Sequence, residues 1–515
     1  MENTNFESEN IKLKMRIVEL EALINYYEGQ FKLARHRQYG ASSEKSEYDF
    51  SQLSIFNEVE LTADDNILEP KLATIKNNYR KRKRLVNDNL PDNIQVEIVE
   101  HSLEPNEQFC SECGENLHSI GTEKRRELVI VPAQVKIREH VRKVYGCRNC
   151  EQDEYGQPIL RTPVDNPVIK GSFASPEAIA YIMTQKFVMG APLYRQEQDF
   201  KRRGIMLSRQ TMSNWLLRAT EDWLEPIYDA LHELLCLRNV IHADETTLQV
   251  LREPGKTAQS KSYMWLYRTS GDSDSHIVLY KYKPNRRKEN PQQFLEGFSG
   301  YLHTDGYEAY HSLPGDITII GCWAHVRRKF DEALKIIPEK DRASSETLKG
   351  KRYCDKLFAL ENDFSNLNSD ERHKQRQELS RPLMDEFFEW LIKLAALPKT
   401  PLGIASGYAL KQRKYLENCL LDVRLEISNN RAERSIKPFV IDRKNFLFAN
   451  TPRGAKASAV MFSLIETAKE NGLDPFKYLS YVFKNAPNWD VRNNPDYFEF
   501  ILPTSLNESI KSSLR

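Results

Sequence analysis

The chain has 515 residues, of which 40% are hydrophobic and 29% charged, an ordinary balance for a globular protein. This composition excludes collagen-like, mucin-like and wholly disordered chains, and the length allows about three or four domains. The 74 basic and 73 acidic residues leave a formal net charge of +1, but the charge is spread unevenly. No segment approaches the roughly 20 apolar residues of a membrane span, and the acidic N-terminus does not resemble a signal peptide. We therefore expect a cytoplasmic protein with no membrane partner.

The first 45 residues carry an apolar pattern with alternating spacings of four and three. The residues that form it are Leu13, Ile17, Leu20, Ile24, Tyr27, Phe31 and Ala34. The pattern predicts a helical, coiled-coil-like arm over residues 1–45, through which the chain could form a homo-oligomer. A single amphipathic helix packed on its own domain would show the same seam.

Residues 46–100 are predicted to form a linker that contains a basic run. Residues 1–70 contain 7 basic and 14 acidic residues, whereas residues 71–84 contain seven basic residues and no acid. The run could bind DNA phosphates, because their neutralisation releases counterions. A solvated charge run in a flexible arm is the alternative. The candidate DNA contacts here are Arg80, Lys81, Arg82, Lys83 and Arg84.

Two Cys-x2-Cys pairs, separated by residues 114–146, predict a zinc module over residues 101–165. The four paired cysteines are Cys110, Cys113, Cys147 and Cys150. Four thiolates complete a tetrahedral zinc shell with no open position, so this zinc should be structural. Alternating runs at 127–131 and 135–138 predict strands of a small zinc-ribbon-like module. The remaining cysteines are expected to be ordinary free thiols: Cys236, Cys322, Cys354 and Cys419.

Residues 170–236 have helical patterns and resemble a helix-turn-helix region. Ser175 is predicted to cap a first helix, a later helix ends near Gly204, and Ser208 caps the next one. A helix rich in Arg, Gln, Ser and Asn after such a turn could enter a DNA groove. Plain helical packing around Trp215 is the alternative. The candidate base or phosphate contacts are Arg209, Gln210 and Asn214.

Strand-like runs begin after residue 237. The predicted order is strand, strand, strand, helix, strand, helix, strand, helix, provided that a tight turn or short helix follows Asp305. This is the order of a ribonuclease-H-like α/β fold. The expected catalytic core comprises residues 237–332 and 421–482, split by a helical insertion at 333–420 and followed by a C-terminal tail at 483–515.

Two aspartates are placed where such a fold would bring them together. Asp244 is predicted to end the first strand and Asp305 the fourth, which are neighbours in this sheet. Carboxylate oxygens suit Mg²⁺ or Mn²⁺, and two ions about 4 Å apart can activate an attacking oxygen and stabilise a leaving one. Aspartates that merely cap turns are the alternative. If the strand continues, Glu245 should face its opposite side and either be structural or support the metal-binding residues from behind.

Several segments of this chain resemble motifs of the insertion-sequence-66 family of DDE transposases. They lie at residues 242–246, 303–307 and 321–330, and in the long stretch from 429 through 441–448 to 463–469. The cysteine module and the heptads match the same layout, so the resemblance spans nearly the whole chain. It implies Asp244, Asp305 and Glu433 as the catalytic, metal-binding triad, and accessory element-encoded proteins as partners.

Glu433 lies in a predicted helix at 430–436, and Glu426 and Glu466 are rival carboxylates. Residues 424–456 contain eight basic and three acidic residues, so a basic surface could neutralise DNA phosphates beside the metal site. The candidate contacts are Arg327, Arg328, Arg434, Arg443 and Lys444.

Two of these arginines, Arg434 and Arg443, could instead pair with local carboxylates in the fold. His325 lies beside the first two and is expected to be structural rather than a metal ligand. No Gly-rich nucleophile turn supports a mechanism with a serine, tyrosine or cysteine nucleophile.

These patterns together predict a multidomain DNA transposase that binds double-stranded element ends and target DNA. Metal-activated water would hydrolyse the phosphodiester at the element end, and the freed 3′-hydroxyl would attack target DNA without a covalent protein intermediate. The alternative is a non-catalytic, zinc-containing DNA-binding regulator derived from a transposase. A third hypothesis is an interaction scaffold built on the heptads.

Overall fold

The computed structural model describes residues 134–146, 159–394 and 396–515. These residues belong to two compact units that divide between Thr162 and Pro163. The predicted N-terminal heptads, the basic run and the four paired cysteines lie outside the described residues.

The described part of the smaller unit contains one antiparallel strand pair, β1 (Val144–Gly146) and β2 (Ile159–Arg161). The predicted strand at 135–138 is wrong, because residues 134–143 have no regular secondary structure. Ile137 is 96% exposed, so the alternation in this segment is not matched by burial of one face. Alternating hydrophobicity makes a stable strand only where a neighbour pairs with it and one face is buried.

Four helices open the described part of the larger unit. They are α1 (Pro176–Phe187), α2 (Leu193–Arg202), α3 (Arg209–Ala219) and α4 (Glu225–Cys236), with the π-helical turn Thr220–Leu224 before α4. Ser175 Oγ accepts a hydrogen bond from the Ala178 N–H and Ser208 Oγ one from the Thr211 N–H, each at 3.1 Å, which confirms both predicted caps. Gly204 has φ +77°, a left-handed conformation that glycine adopts without strain.

A five-stranded mixed sheet follows. Its strands are β3 (Val240–Gln249), β4 (Lys261–Thr269), β5 (Val278–Lys283), β6 (Gly300–His303) and β7 (Ile317–Ile320), in the spatial order β5-β4-β3-β6-β7. β4 is antiparallel to both β3 and β5, whereas β3, β6 and β7 are mutually parallel. α5 (Glu289–Phe294) connects β5 to β6, and the short 3₁₀ turn Tyr310–Ser312 precedes β7. The predicted strands and their order along the chain are confirmed.

The prediction that Asp244 ends the first strand is wrong, because β3 continues to Gln249. Its antiparallel partner β4 pairs with it as far as Gln249 and Lys261. The parallel partner β6 stops earlier, at the pair His242 and His303. Asp244 therefore lies inside a long strand, just beyond the point where its parallel neighbour ends.

Helices make up most of the rest of the larger unit. After β7 come α6 (Trp323–Ile336), α7 (Glu339–Arg342), α8 (Glu346–Asp363), α9 (Ser369–Gln375), α10 (Arg381–Lys393) and α11 (Pro401–Glu417). They are followed by α12 (Asn430–Phe446), α13 (Pro452–Glu470), α14 (Pro475–Trp489) and α15 (Glu508–Leu514). The expected boundaries at residues 333 and 483 fall inside the continuous helices α6 and α14. Ile501 and Leu506 are buried, so the C-terminal segment packs on the core.

Helix α13 covers the edge strand β5. Thr467 Oγ1 accepts a hydrogen bond from the Val278 N–H at 3.0 Å, and Ser463 Oγ accepts one from the Tyr280 N–H at 2.8 Å. These bonds satisfy donors that an edge strand would otherwise expose. They also fix α13 against the sheet.

A second apolar cluster surrounds Trp323 at the start of α6. It includes Phe330 on the same helix, Phe387 on α10 and Leu416 on α11. Trp323 Nε1 also donates to the Leu416 carbonyl at 3.1 Å. Helices α10 and α11 are thus anchored directly to α6, the helix that follows β7. Within the described ranges, every helix is too short or too polar to cross a membrane.

Candidate active site

The strand register brings Asp244 and Asp305 to corresponding positions. His242 on β3 pairs with His303 on β6, and each aspartate lies two residues further along its chain. Asp244 Oδ1 accepts a hydrogen bond from the Glu245 N–H at 2.8 Å. Because β3 and β6 are parallel neighbours, both carboxylates leave the sheet at the same place.

Asp244 lies in a strongly unfavourable environment for a negative charge. Burial raises the pKa of its carboxyl well above the ordinary value, and the charges of Glu245, Asp305 and Glu433 raise it further. The Glu245 N–H lowers this pKa but does not compensate. A bound divalent cation would relieve this repulsion.

Glu433 reaches the site from the first turn of α12. Arg328 Nη2 donates to Glu433 Oε2 at 2.7 Å, and His325 Nδ1 lies 3.7 Å from Oε1. The Glu433 side chain is 18% exposed, so it remains accessible to solvent. The two basic side chains hold the carboxylate where its charge acts on Asp244.

The two rival carboxylates are occupied by other partners. Glu426 Oε1 accepts a hydrogen bond from Arg431 Nε at 2.8 Å, in the loop before α12. Glu466 lies on α13 and pairs with Lys469 at 2.8 Å, with burial raising the pKa of its carboxyl. Glu433 is the one of the three that contributes to the raised pKa of Asp244.

The Glu245 carboxylate is buried and held by neighbouring side chains. Its side chain is 2% exposed and accepts hydrogen bonds from Arg286 Nε at 2.7 Å and from the Tyr310 hydroxyl at 2.6 Å. Arg286 Nη2 also lies 4.0 Å from Asp305 Oδ2, and its guanidinium stacks on Tyr307. Arg286 therefore links the buried carboxylate to the loop that carries Asp305.

Asn429, immediately before α12, connects three elements of the site and was not predicted. Its Nδ2 donates to the Ala243 carbonyl at 2.8 Å, and its backbone N–H donates to Cys322 Sγ at 3.1 Å. Asn429 Oδ1 lies 3.0 Å from His242 Nδ1 and can only accept, so His242 donates from that nitrogen. Burial lowers the pKa of His242 to about 3, which keeps the ring neutral.

The sequence signal for this role was slight. Asn429 occupies the N-cap position of α12, where asparagine usually bonds to the helix, but here its side chain makes no cap bond. It is used instead to join the helix of Glu433 to the strand of Asp244.

Cys322, expected to be an ordinary free thiol, lies in a cluster with His325 and Glu433. The potential ligand atoms of these three residues lie within 4.8 Å of one another, the one such group of three or more among the residues described. Although burial lowers the pKa of His325, Cys322 and then Glu433 raise it, to about 9. His325 therefore lies beside a thiol and a carboxylate.

The helical insertion also reaches the site. A Cβ atom added to Gly306, which follows Asp305, would lie 2.9 Å from the ring and hydroxyl of Tyr408 on α11. Only glycine permits this close approach without movement of the tyrosine. Burial raises the pKa of Tyr408, and the neighbouring Cys322 and Asp305 raise it further.

The predicted DNA contacts on α3 lie at the surface. Arg209, Gln210 and Asn214 are exposed, and Gln210 Nε2 donates to Asn214 Oδ1 at 3.2 Å. Trp215 on the other face of the same helix is 6% exposed and packs in the core. One face of α3 therefore packs as the alternative of plain helical packing expected, and the other is polar and exposed.

Two of the predicted contacts after β7 are engaged in ion pairs. Arg327 Nε donates to Asp355 Oδ1 on α8 at 2.5 Å, and Arg328 pairs with Glu433. Both side chains are about two-fifths exposed, at 43% and 38% respectively, so each guanidinium also faces solvent.

The predicted contacts on α12 divide into two kinds. Arg443 is bound into the fold, since its Nη1 donates to the hydroxyls of Thr246 at 3.3 Å and Thr247 at 3.2 Å, and to the Thr247 carbonyl. It thus anchors α12 to β3, through hydroxyl and carbonyl oxygens rather than through the carboxylates considered as an alternative. Arg434 and Lys444 are exposed.

Comparison with protein families defines the class of protein. Residues 171–457 match the family described as transposase IS66, and residues 107–151 match the zinc-finger binding domain of transposase IS66. Residues 463–494 match the IS66 C-terminal element, and residues 26–99 a family described as transposase C of IS166 homeodomain. These matches are to transposases and their DNA-binding and zinc-binding parts. The chain belongs to the IS66 family of transposases, as its motifs predicted.

The zinc-finger match includes all four paired cysteines and supports a structural zinc. Similar proteins occur in Sinorhizobium fredii. The uncharacterized protein y4hP is 32% identical over 427 residues, which cover 80% of this chain and 76% of the relative. The uncharacterized protein y4jD is 30% identical over 415 residues, covering 78% of each chain.

Proposed function

We propose that this transposase cleaves and joins DNA with a metal-dependent DDE site on a ribonuclease-H-like core. The observation that carries the proposal is the placement of Asp244 on β3 and of Asp305 just after the end of the parallel neighbour β6, with the charges of Asp305 and Glu433 both acting on Asp244. The sheet order β5-β4-β3-β6-β7, in which β4 alone runs opposite to the other strands, supports the assignment of the core.

The donor set fits a hard divalent cation. Asp244, Asp305 and Glu433 offer carboxylate oxygens, which Mg²⁺ or Mn²⁺ prefers, and their mutual repulsion favours a cation between them. When bound, such ions would supply activation of the attacking oxygen and stabilisation of the leaving oxygen. Cys110, Cys113, Cys147 and Cys150 would hold the structural zinc of the matched zinc-finger domain.

The chain's own residues would position these carboxylates and the DNA. Arg286 and Tyr310 hold Glu245, which follows Asp244 in the chain, and Arg328 holds Glu433. Water would first attack the phosphodiester at the element end, and the freed 3′-hydroxyl would then attack target DNA. No protein side chain would form a covalent bond to DNA.

Exposed polar and basic side chains would bind the DNA. Arg209, Gln210 and Asn214 lie on a surface of α3 suited to a groove, and Arg434 and Lys444 lie on the helix that carries Glu433. Phosphate neutralisation by these cations would place the duplex over the carboxylates. A homo-oligomer and accessory element-encoded proteins complete the proposal, and the mass of the complex on element-end DNA would test both.

The test is cleavage of DNA from the ends of the element by the full chain with Mg²⁺. Asp244→Asn should abolish cleavage while DNA binding in a gel shift is retained. Asp274→Asn, an exposed aspartate between β4 and β5, is the matched control and should cleave normally. Full cleavage by Asp244→Asn would contradict the mechanism. A wild-type chain that binds these ends but never cleaves them would instead indicate a regulator.

A further inference from the structure

Cys322, His325 and Glu433 combine three ligand types that zinc favours. Cys322 directly precedes α6, His325 lies in the first turn of that helix, and Glu433 approaches from the first turn of α12. Thiolate, imidazole and carboxylate are the three side chains that bind Zn²⁺ in proteins. Two helix starts therefore place one of each within 4.8 Å.

Two ligand atoms of this cluster lack a hydrogen-bond partner. His325 Nδ1 and Glu433 Oε1 are both buried and make no hydrogen bond among the described residues, and they face each other as a long ion pair at 3.7 Å. In a tetrahedral site with bonds of about 2.1 Å, two such atoms lie roughly 3.4 Å apart. A small shift of either side chain would suit an ion between them.

The surroundings of Cys322 suit a metal-bound sulfur. Its side chain is buried, and its Sγ accepts a hydrogen bond from the Asn429 N–H at 3.1 Å. Hydrogen bonds of this kind orient ligands and stabilise the charge of a bound thiolate. Asn429 in turn is fixed by its bond to the Ala243 carbonyl. The thiol is therefore held rigidly toward the cluster.

We propose that Cys322, His325 and Glu433 form a binding site for a borderline-soft divalent ion such as Zn²⁺, separate from the four-cysteine module. The effect of this ion on DNA cleavage rests on the proposed function, in which Glu433 binds the catalytic metal. The binding of the ion does not rest on it. Three protein ligands leave the fourth position open to water. Mg²⁺ prefers oxygen ligands alone, so the thiol and imidazole select against it.

Glu433 would then be shared between two mutually competing sites. With Asp244 and Asp305 it serves a hard cation, and with Cys322 and His325 it serves a softer one. Binding of Zn²⁺ would release the thiol proton, and any proton on His325, to solvent. Zn²⁺ at this site draws Glu433 away from the aspartates and inhibits Mg²⁺-driven cleavage.

Co²⁺ reports the site directly, because a Co²⁺–thiolate bond absorbs in the near ultraviolet. The probe is Co²⁺, added to the full chain after its four-cysteine module has been filled with Zn²⁺. Zn²⁺ binds that module more tightly than Co²⁺ does. We expect one further equivalent with thiolate absorption. Cys322→Ser should remove the absorption and weaken Co²⁺ binding at least about tenfold, as loss of a ligand exceeds the effect of losing its supporting bonds.

His325→Asn should weaken Co²⁺ binding similarly and serves if Cys322→Ser fails to fold by circular dichroism. Cys354→Ala is the matched control, since Cys354 is a buried thiol outside the cluster, and it should bind Co²⁺ as the wild type does. Absence of a further thiolate-absorbing equivalent in the wild type, or unchanged binding in both cluster variants, would overturn the site.

The activity arm compares inhibition by Zn²⁺ after each protein's rate is normalised to its own Mg²⁺-driven rate. Wild type and Cys354→Ala should lose most of their cleavage, and Cys322→Ser should resist. Equal inhibition of all three would overturn the sharing of Glu433. If no protein cleaves DNA, the proposed function fails, while the Co²⁺ absorption still decides the metal site.

Discussion

The Asp244 carboxyl lies inside a strand, beside three other carboxylates. Burial and these neighbours raise its pKa well above the ordinary value. The folded chain without a divalent cation therefore holds a proton that the unfolded chain has lost, over the pH range between the ordinary pKa of about 3.9 and the raised one. The free energy of unfolding must fall as pH rises through this window.

We predict that Asp244→Asn stabilises the protein when Mg²⁺ is withheld. At pH 7 its thermal unfolding midpoint should exceed that of the wild type by at least about 2 °C, and the difference should vanish toward pH 4, where Asp244 is protonated. Mg²⁺ should be omitted rather than chelated, because a chelator would also remove zinc. Calorimetry at several pH values measures the midpoints. A constant difference at every pH would contradict the account.

Single-residue variants also decide which of the three candidate glutamates is the third metal ligand. Glu433→Gln removes a charge that acts on Asp244, so cleavage with Mg²⁺ should fall by at least about a hundredfold, since a metal ligand contributes several kcal/mol. Glu426→Gln is the matched control because Glu426 pairs with Arg431 instead. Its cleavage rate should stay within a few-fold of the wild type. The reverse pattern would assign the third ligand to Glu426.

Among the elements, the position of α12 relative to β3 decides whether the carboxylates meet. Asn429 joins them at one end of the helix through Ala243 and His242, and Arg443 joins them at the other through Thr246 and Thr247. The two residues clamp the helix along the strand. Glu433 lies between these two connections.

We predict that Asn429→Ala loosens this arrangement. The Ala243 carbonyl and the His242 N–H would lose their partner, at a cost of roughly 1–3 kcal/mol in the free energy of unfolding. The Mg²⁺ concentration needed for half-maximal cleavage should also rise, which a general loss of stability would not cause. Asn430→Ala is the control, because the Asn430 Oδ1 has no hydrogen-bond partner in the described structure. Equal Mg²⁺ requirements in both variants would rule out the positioning role.

The elements of the sheet could be predicted from apolar runs and their order, but their ends could not. Thr246 and Thr247 extend β3 past Asp244 because β4 pairs with them, and no local pattern reveals a partner strand. The helix caps at Ser175 and Ser208 depend on neighbouring residues only and were predictable. Cys322 and Glu433 are distant in sequence. No local pattern could therefore predict that their side chains lie close together.

At the scale of the whole molecule, the net charge of +1 gives little indication of the partner. Residues 1–70 contain 14 acidic and 7 basic residues, while residues 71–84 are basic and α3 exposes Arg209. Of the predicted DNA contacts, Arg327, Arg328 and Arg443 also have structural partners. Sequence could identify the basic stretches but not which guanidinium groups the fold uses.

We predict that Arg209→Ala weakens DNA binding and lowers the slope of log affinity against log salt by about 1 if Arg209 contacts a phosphate. Arg453→Ala is the control, since Arg453 is 60% exposed but paired with Glu221. Fluorescence anisotropy at several salt concentrations gives the slopes. An unchanged affinity and slope for Arg209→Ala would remove α3 from the DNA surface.

The most direct test of the central claim is the metal preference of Asp305→Cys. A thiolate accepts Mn²⁺ far better than Mg²⁺, whereas a carboxylate accepts both. If Asp305 binds the catalytic metal, the variant should fail to cleave element-end DNA with Mg²⁺ and regain cleavage with Mn²⁺. Cleavage at the wild-type rate with Mg²⁺ would show that Asp305 is not a ligand and would contradict the proposed site.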